Sequence, residues 1–357
     1  MSQLSQQIKY EWAWPQAMPD VAPVYMDARY QSLFAAHDAS EARLLTCRVG
    51  NRLSRLPLLV RQVSQESREA YSAYGYGGFF GDLTFSEKDI DGLRRYLGEA
   101  GIAALFLRHS PFLDNHISLP EGLSQLNRRT YEVALRAGET MAALLARVPQ
   151  KLRWSANFAL RSGLSVAFQA LSECTEERIL AFYREYASLM EAKGTSDYYR
   201  FSETFFLEHA RRLGADCELA EVLDADGRFL GGAFFLLDRS GWVHYHLSAA
   251  LREAMKLQGM ELLMLSALQR YGERGYSSLH LGGGHALDET DGLSRFKAKF
   301  ADRKLDFYCS ALVCDETAYA RERARLPLVR PSYFLISDAR GASPIVPVHH
   351  ARPERST

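Results

Sequence analysis

Two short turns restrict what this chain can fold into. Asp224-Ala225-Asp226-Gly227 and Asp238-Arg239-Ser240-Gly241 each close a polar stretch with glycine, the chemistry of a tight connection between antiparallel strands. They divide an apolar region into three runs, Glu218 to Leu223, Phe229 to Leu237 and Trp242 to Ser248. Each run is strand-sized and far short of a membrane span, so a three-strand meander is expected. An apolar pattern of helical period follows from Arg252 to Arg274, with Leu257, Met260, Leu263, Ala267 and Tyr271 on one face. Next come a strand from Ser277 to Leu281, the run Gly282-Gly283-Gly284, a short helix from Leu293 to Phe300, and a strand from Leu305 to Val313.

Two helices lead into the meander. One starts at Thr175, with Glu176 and Glu177 in its dipole-favoured first turn and Ile179, Phe182, Tyr183, Tyr186 and Met190 on one face. The other runs from Ser202 to Arg212. The first half of the chain shows a looser version of the same order. Ala42 to Val49 and Leu56 to Val63 read as a hairpin around Asn51-Arg52-Leu53-Ser54. Ser86 caps a helix that reaches about Ala100, with Asp89 three residues on. Ala103 to Arg108 is a buried-strand candidate that Pro111 brings to an end. Between Arg136 and Val166 lie a helix from Glu139 to Val148, Pro149, and a basic helix from Lys151 to Arg161 with Gly163 as its C′ residue. The 357 residues suit two domains, and the expected division is 1–150, 151–340 and a loosely ordered tail at 341–357.

Bulk chemistry excludes little. Acidic and basic residues balance at 43 each, so net charge favours neither nucleic acid nor membrane. Five scattered cysteines give no disulfide framework and no CxxC pair, and ten histidines give no HExxH. Met1 to Gln7 lacks a basic region followed by an apolar run. The expected location is the cytoplasm, with attachment at the inner membrane left open.

Five segments in order resemble the FemAB-like acyltransferases of the GNAT superfamily. They are Tyr74-Gly75-Tyr76-Gly77-Gly78; Arg108-His109-Ser110-Pro111 at a strand end; the basic helix from Arg153 to Gly163; Tyr245-His246-Leu247-Ser248-Ala249; and Gly282-Gly283-Gly284 followed by Phe296-Lys297-Ala298-Lys299-Phe300. The resemblance covers about residues 20 to 315. It implies an α/β (α+β) fold of two tandem GNAT-like domains, with mixed, mainly antiparallel sheets flanked by helices. It also implies transfer of an aminoacyl or acyl group onto an amine of a cell-envelope precursor, glycan or small metabolite. The donor would be a co-substrate, namely aminoacyl-tRNA, an acyl-carrier thioester or acyl-CoA, with no tightly bound cofactor and no metal. Oligomeric state is not legible. Two alternatives stay open: a CoA-thioester-dependent N-acyltransferase, and a GNAT-fold binding protein without turnover. Acetyl-CoA-using relatives carry Q/R-x-x-G-x-G/A at the long helix, whereas Leu251 to Gly259 lacks the paired glycines.

The resemblance places a functional lysine at Lys297, where a cation would stabilise the oxyanion of acyl transfer. The competing reading is a surface lysine between two buried rings, Phe296 and Phe300. Gly282, Gly283 and Gly284 would offer backbone N–H groups to a phosphate or carbonyl, or simply form a strand exit. His285 and Asp288 follow as proton acceptors or as solvated loop residues. Alternation along Trp242 to Ser248 sets His246 on one face and Tyr245 on the other. The expected catalytic set is Lys297, His246 and Asp288, with Tyr245, Ser248 and Phe296 beside the substrate. Tyr74 and Tyr76 bind a substrate group or pack within the fold. Tyr199-Arg200 occupies a place where substrate-binding relatives carry Arg and an aromatic, but Thr204, Phe205 and Phe206 depart from that pattern. Arg147, Lys151, Arg153 and Arg161 meet a phosphate-bearing donor or acceptor, tRNA included, or form a wet helix face.

Overall fold

The computed structural model describes residues 7–193, 199–284, 289–325, 327–328, 330 and 332–339. The chain begins with β1 (Lys9–Ala13), α1 (Ala28–His37), β2 (Glu41–Val49), β3 (Arg52–Gln62), β4 (Arg68–Tyr71), β5 (Phe80–Gly81), α2 (Glu87–Glu99) and β6 (Ile102–Arg108). It continues through β7 (Ser124–Ala134), α3 (Met141–Arg147), α4 (Gln150–Arg161), β8 (Ser165–Ala170), α5 (Glu176–Ala192) and α6 (Glu203–Leu213). Then come β9 (Cys217–Leu223), β10 (Phe229–Leu237), β11 (Trp242–Ala250), α7 (Arg252–Lys256), α8 (Gly259–Glu273), β12 (Ser278–Gly283) and α9 (Gly292–Ala298). β13 (Arg303–Val313), α10 (Glu316–Arg325) and α11 (Ile336–Ala339) are the last described elements.

The chain forms two compact units: Met1–Asn127, Ser196–Tyr199 and Asp306–Thr357 in one, Arg128–Thr195 and Arg200–Leu305 in the other. Within the first, β1, β2, β3 and β4 pair antiparallel, β4 pairs β6 parallel, and β6 pairs the end of β13 antiparallel. Within the second, β8, β9, β10 and β11 pair antiparallel, β11 pairs β12 parallel, and β12 pairs β7 antiparallel. The same order of pairings thus occurs twice. In each unit the final strand comes from the far side of the chain crossing, because β7 follows β6 in sequence and β13 follows β12.

This exchange moves the expected domain boundary. A cut at 150/151 separates α3 from α4, yet Leu144, Val148, Leu152, Ala156 and Ala159 all join one apolar cluster with Leu263, Ala267 and Tyr271 of α8. The tail at 341–357 lies outside the described residues.

Local chemistry explains most element ends. Ser86 and Asp89 form a reciprocal capping box at α2, and Thr175 and Ser202 accept N–H groups at the starts of α5 and α6. The first hairpin turns at Gly50-Asn51 instead of 51–54. Val49 faces Arg52 in register, and Gly50 takes φ 56°, a left-handed conformation that glycine adopts cheaply. The long helix expected over Arg252 to Arg274 is broken into α7 and α8. Gln258 stands between them at φ 61°, and a Cβ on Gly259 would lie 2.9 Å from Val222 Cγ1. Close packing of the chain against β9 therefore overrides the helical period there.

Candidate active site

The second unit opens between two of its central strands. β11 and β12 pair only at Trp242↔Ser278, Val243↔Leu279 and His244↔His280, and beyond that rung they part. A bulge accompanies the split. Phe234 faces Leu247 while Phe235 faces Tyr245, which leaves His246 as the extra residue. β12 carries a second irregularity between His280 and Gly282.

Lys297 reaches the split from α9. Asp291 caps this helix by accepting the N–H groups of Leu293 and Ser294 at 2.9 and 3.0 Å, and Phe296 and Phe300 pack their rings 5.3 Å apart. Lys297 is only 6% exposed, against the competing reading of a surface lysine. Its Nζ donates to the Gly283 carbonyl at 2.7 Å and lies 5.9 Å from the centre of the Tyr245 ring. Burial brings its pKa down to about 7. Asp291 acts against that shift, and Arg128 adds to it. Tyr245 is itself buried, and its hydroxyl, hydrogen-bonded with that of Ser248, is pushed up to about 12 by desolvation.

The three glycines serve this arrangement by allowing close approach. Gly282 and Gly283 belong to β12 and do not follow it, contrary to the expected strand end at Leu281. Gly282 takes φ 70°. A Cβ on Gly283 would lie 2.9 Å from the Arg129 carbonyl, and one on Gly284 would overlap the Ser294 hydroxyl. The Gly283 carbonyl holds Lys297, and the Gly284 carbonyl accepts from Arg128 Nη1 at 2.8 Å.

Not every expected residue joins Lys297. His246 meets His209 of α6, Nε2 to Nε2 at 3.4 Å, and burial first, then His209 and His244, push its pKa well below the usual imidazole value. His285 and Asp288 lie outside the described residues. Phe296 is half-buried, with Lys299 Nζ 5.5 Å from its ring centre. Tyr199 is half-buried and Arg200 exposed, and the unit boundary falls between them. Tyr74 and Tyr76 belong to the first unit. Tyr74 stacks on Phe34, while Tyr76 meets Tyr25, Phe112 and Phe307 edge-on at 5.1 to 5.8 Å, so both rings pack within the fold.

Several residues near the split escaped the sequence. Tyr131 donates to Glu289 at 2.9 Å, and Lys304 and Arg129 pair with the same carboxylate. Glu261, in the first turn of α8, is held by Lys299 at 2.7 Å. Only Asp291 had a local signal, as an N-cap residue directly before a helix. Among the described residues no cluster of three or more His, Cys, Asp or Glu side chains could hold a metal, and no helix is long and apolar enough to cross a membrane.

Comparison with known proteins agrees with this fold. The sequence profile of the acetyltransferase (GNAT) domain matches residues 146–298. The fold resembles that of FemX with a TM-score of 0.60 at 13% identity, covering 84% of this chain and 94% of FemX. It also resembles the C-terminal domain of a protein assigned as a lysylphosphatidylglycerol synthetase in Agrobacterium fabrum, with a TM-score of 0.51 at 20% identity over 78% of this chain and 88% of that one. A tandem GNAT protein from the clavulanic acid biosynthesis pathway gives a TM-score of 0.49 at 11% identity, over 85% and 98% of the two chains. No curated protein sequence matches significantly. Residues 146–298 thus match the acetyltransferase (GNAT) domain model, and the chain shares its fold with FemX.

Proposed function

We propose that the second unit transfers an acyl or aminoacyl group onto an amine, with Lys297 as the cation that stabilises the transition state. The observation that carries this reading is a buried lysine fixed at the parting of two central strands by the Gly283 carbonyl. A carbonyl carbon held in the split is attacked by the neutral amine of the acceptor. Charge then gathers on the carbonyl oxygen, and the Lys297 ammonium has N–H groups beyond the one given to Gly283 to offer it. Collapse of that intermediate breaks the bond to the donor's leaving group, forms the amide and releases the acceptor's proton.

A donor other than acetyl-CoA is favoured by the start of α8. A helix N-terminus attracts phosphate through its unpaired N–H groups and positive dipole end. Here the first turn holds the carboxylate of Glu261, nearly buried and fixed by Lys299. A pyrophosphate approaching this turn would meet a negative charge already in place. The acceptor would be an amine of an envelope precursor, glycan or small metabolite.

The test is to incubate the protein with charged tRNAs, carrier thioesters and CoA thioesters plus an amine, following donor loss and amide formation by mass spectrometry. Consumption of one donor, with at least about a hundredfold loss in a folded Lys297→Ala protein, is expected for removal of an oxyanion partner. Survival of every donor, or equal turnover by the variant, would end this reading.

A further inference from the structure

His246 and His209 bring two imidazoles together beside the split. β11 leaves β12 after the rung His244↔His280, and the bulge that makes His246 the extra residue follows directly, next to Tyr245. Bulges re-aim a side chain, and they are over-represented beside active sites. His209 comes from α6 and is completely buried, its ring among those of Phe205, Phe206 and Phe234 at 4.6 to 6.4 Å. His246 is only partly buried.

Hydrogen bonding fixes where the protons sit. His209 Nδ1 lies 2.9 Å from the Phe205 carbonyl, one turn back in α6. A carbonyl only accepts, so this nitrogen carries the N–H. A neutral ring has one such N–H, which makes His209 Nε2 an acceptor. His246 Nε2 faces it at 3.4 Å. Two lone pairs do not bond, so His246 carries its proton on Nε2 and has its lone pair on Nδ1. Each group in the order carbonyl, His209, His246 thus orients the next.

We propose that His246 Nδ1 is the base of the acyl transfer and that His209 is the positioning residue that fixes its tautomer and ring. The proposal rests on the acyl-transfer reading of the second unit and names where the acceptor's proton goes. As the amine nitrogen bonds to the carbonyl carbon, the carbonyl electron pair moves to oxygen and the amine's proton passes to Nδ1. The resulting imidazolium keeps its Nε2–H on the His209 lone pair. Collapse of the intermediate breaks the bond to the leaving group, and the imidazolium returns a proton to that group. His209 thereby does for His246 what a third, orienting group does for the base of a catalytic triad. Burial disfavours the charged ring before the amine arrives, so the lone pair is present at neutral pH.

Three variants of the full chain and one spectrum test this. His246→Ala should lower kcat by at least about a hundredfold, the scale of a lost general base. His209→Phe keeps an aromatic ring among its neighbours but offers no acceptor. It should lower kcat by roughly ten- to a hundredfold, as expected for one lost hydrogen bond to a charged group, and leave the KM of the acceptor unchanged. His209→Gln, whose amide oxygen accepts from Nε2–H, should recover most of that loss. Circular dichroism checks that each variant is folded. Long-range 15N–1H spectra of the wild-type imidazoles should show His209 protonated on Nδ1 and His246 on Nε2. Equal turnover by His246→Ala, in a protein whose turnover still needs Lys297, would overturn the base and leave the acyl-transfer reading standing. A proton on His209 Nε2 or on His246 Nδ1, or a loss in His209→Phe that His209→Gln does not recover, would overturn the positioning role. A wild-type protein that transfers from no donor would sink the acyl-transfer reading and the base together.

Discussion

Lys297 owes its chemistry to two opposing influences. Desolvation disfavours the ammonium and brings the group to about 7, while Asp291 holds that shift in check. The ammonium is therefore present below about pH 7 and disappears above it. If the cation stabilises the oxyanion, turnover falls as pH rises through that value, on top of any rise from deprotonation of the acceptor amine. Lys297→Arg keeps its charge throughout, since guanidinium stays protonated. Whatever its overall rate, that variant should lose the descending limb when kcat is followed between about pH 5.5 and 9. A descending limb unchanged in the variant would assign the titration to another group. The resemblance singled out Lys297, while the four-residue spacing of Phe296 and Phe300 is a local signal in the sequence itself. Neither showed where His246 turns, because the partner His209 stands 37 residues away and strand alternation is interrupted by the bulge at this residue.

At the scale of elements, termini with side-chain caps were legible, and breaks set by packing were not. The capping box of α2 is written in four consecutive residues. The interruption between α7 and α8 is not, since Lys256-Leu257-Gln258-Gly259 contains no proline and a lone glycine is tolerated inside a helix. What fixes the break is the space available to Gly259, whose added Cβ would lie 2.9 Å from Val222 Cγ1 and 3.2 Å from Leu164 Cδ1. In an exposed helix Gly→Ala stabilises by about 1 kcal/mol. Here Gly259→Ala should instead destabilise by about 1–3 kcal/mol, the usual cost of overpacking, read from the midpoint of urea unfolding. A stabilised variant would show that β9 and the segment before β8 can give way, and that propensity alone sets the break.

Across the whole molecule the repeated pairing order was legible as two similar halves, but the exchange of final strands was not. Nothing local tells β7 to pair β12 or β13 to pair β6. The exchange returns α11 to the first unit, where Glu69 and Arg61 hold it. Glu69 accepts the N–H groups of Ile336 and Ser337, and Arg61 lies between Glu69 at 2.6 Å and Asp338 at 2.5 Å. One guanidinium serves two buried carboxylates, with Asp38 as a further acid nearby. Burial pushes Asp338 up to about 7, opposed first by Arg61 and reinforced by Glu69 and Asp38. An acid raised in this way keeps its proton in the fold where the unfolded chain has lost it. Its contribution to stability is complete below the ordinary aspartate value of 3.8 and is lost as pH rises to about 7. Buried histidines such as His109, held down to about 3 by desolvation, act in the opposite sense, but they are common to wild type and variant and cancel in a difference. Asp338→Asn cannot ionise. The difference in Tm, variant minus wild type, should therefore climb across this interval and level off above it. A difference that stays constant across the interval would mean that Asp338 titrates as an ordinary carboxyl, and that α11 is held by its backbone bonds to Glu69 and its apolar contacts alone.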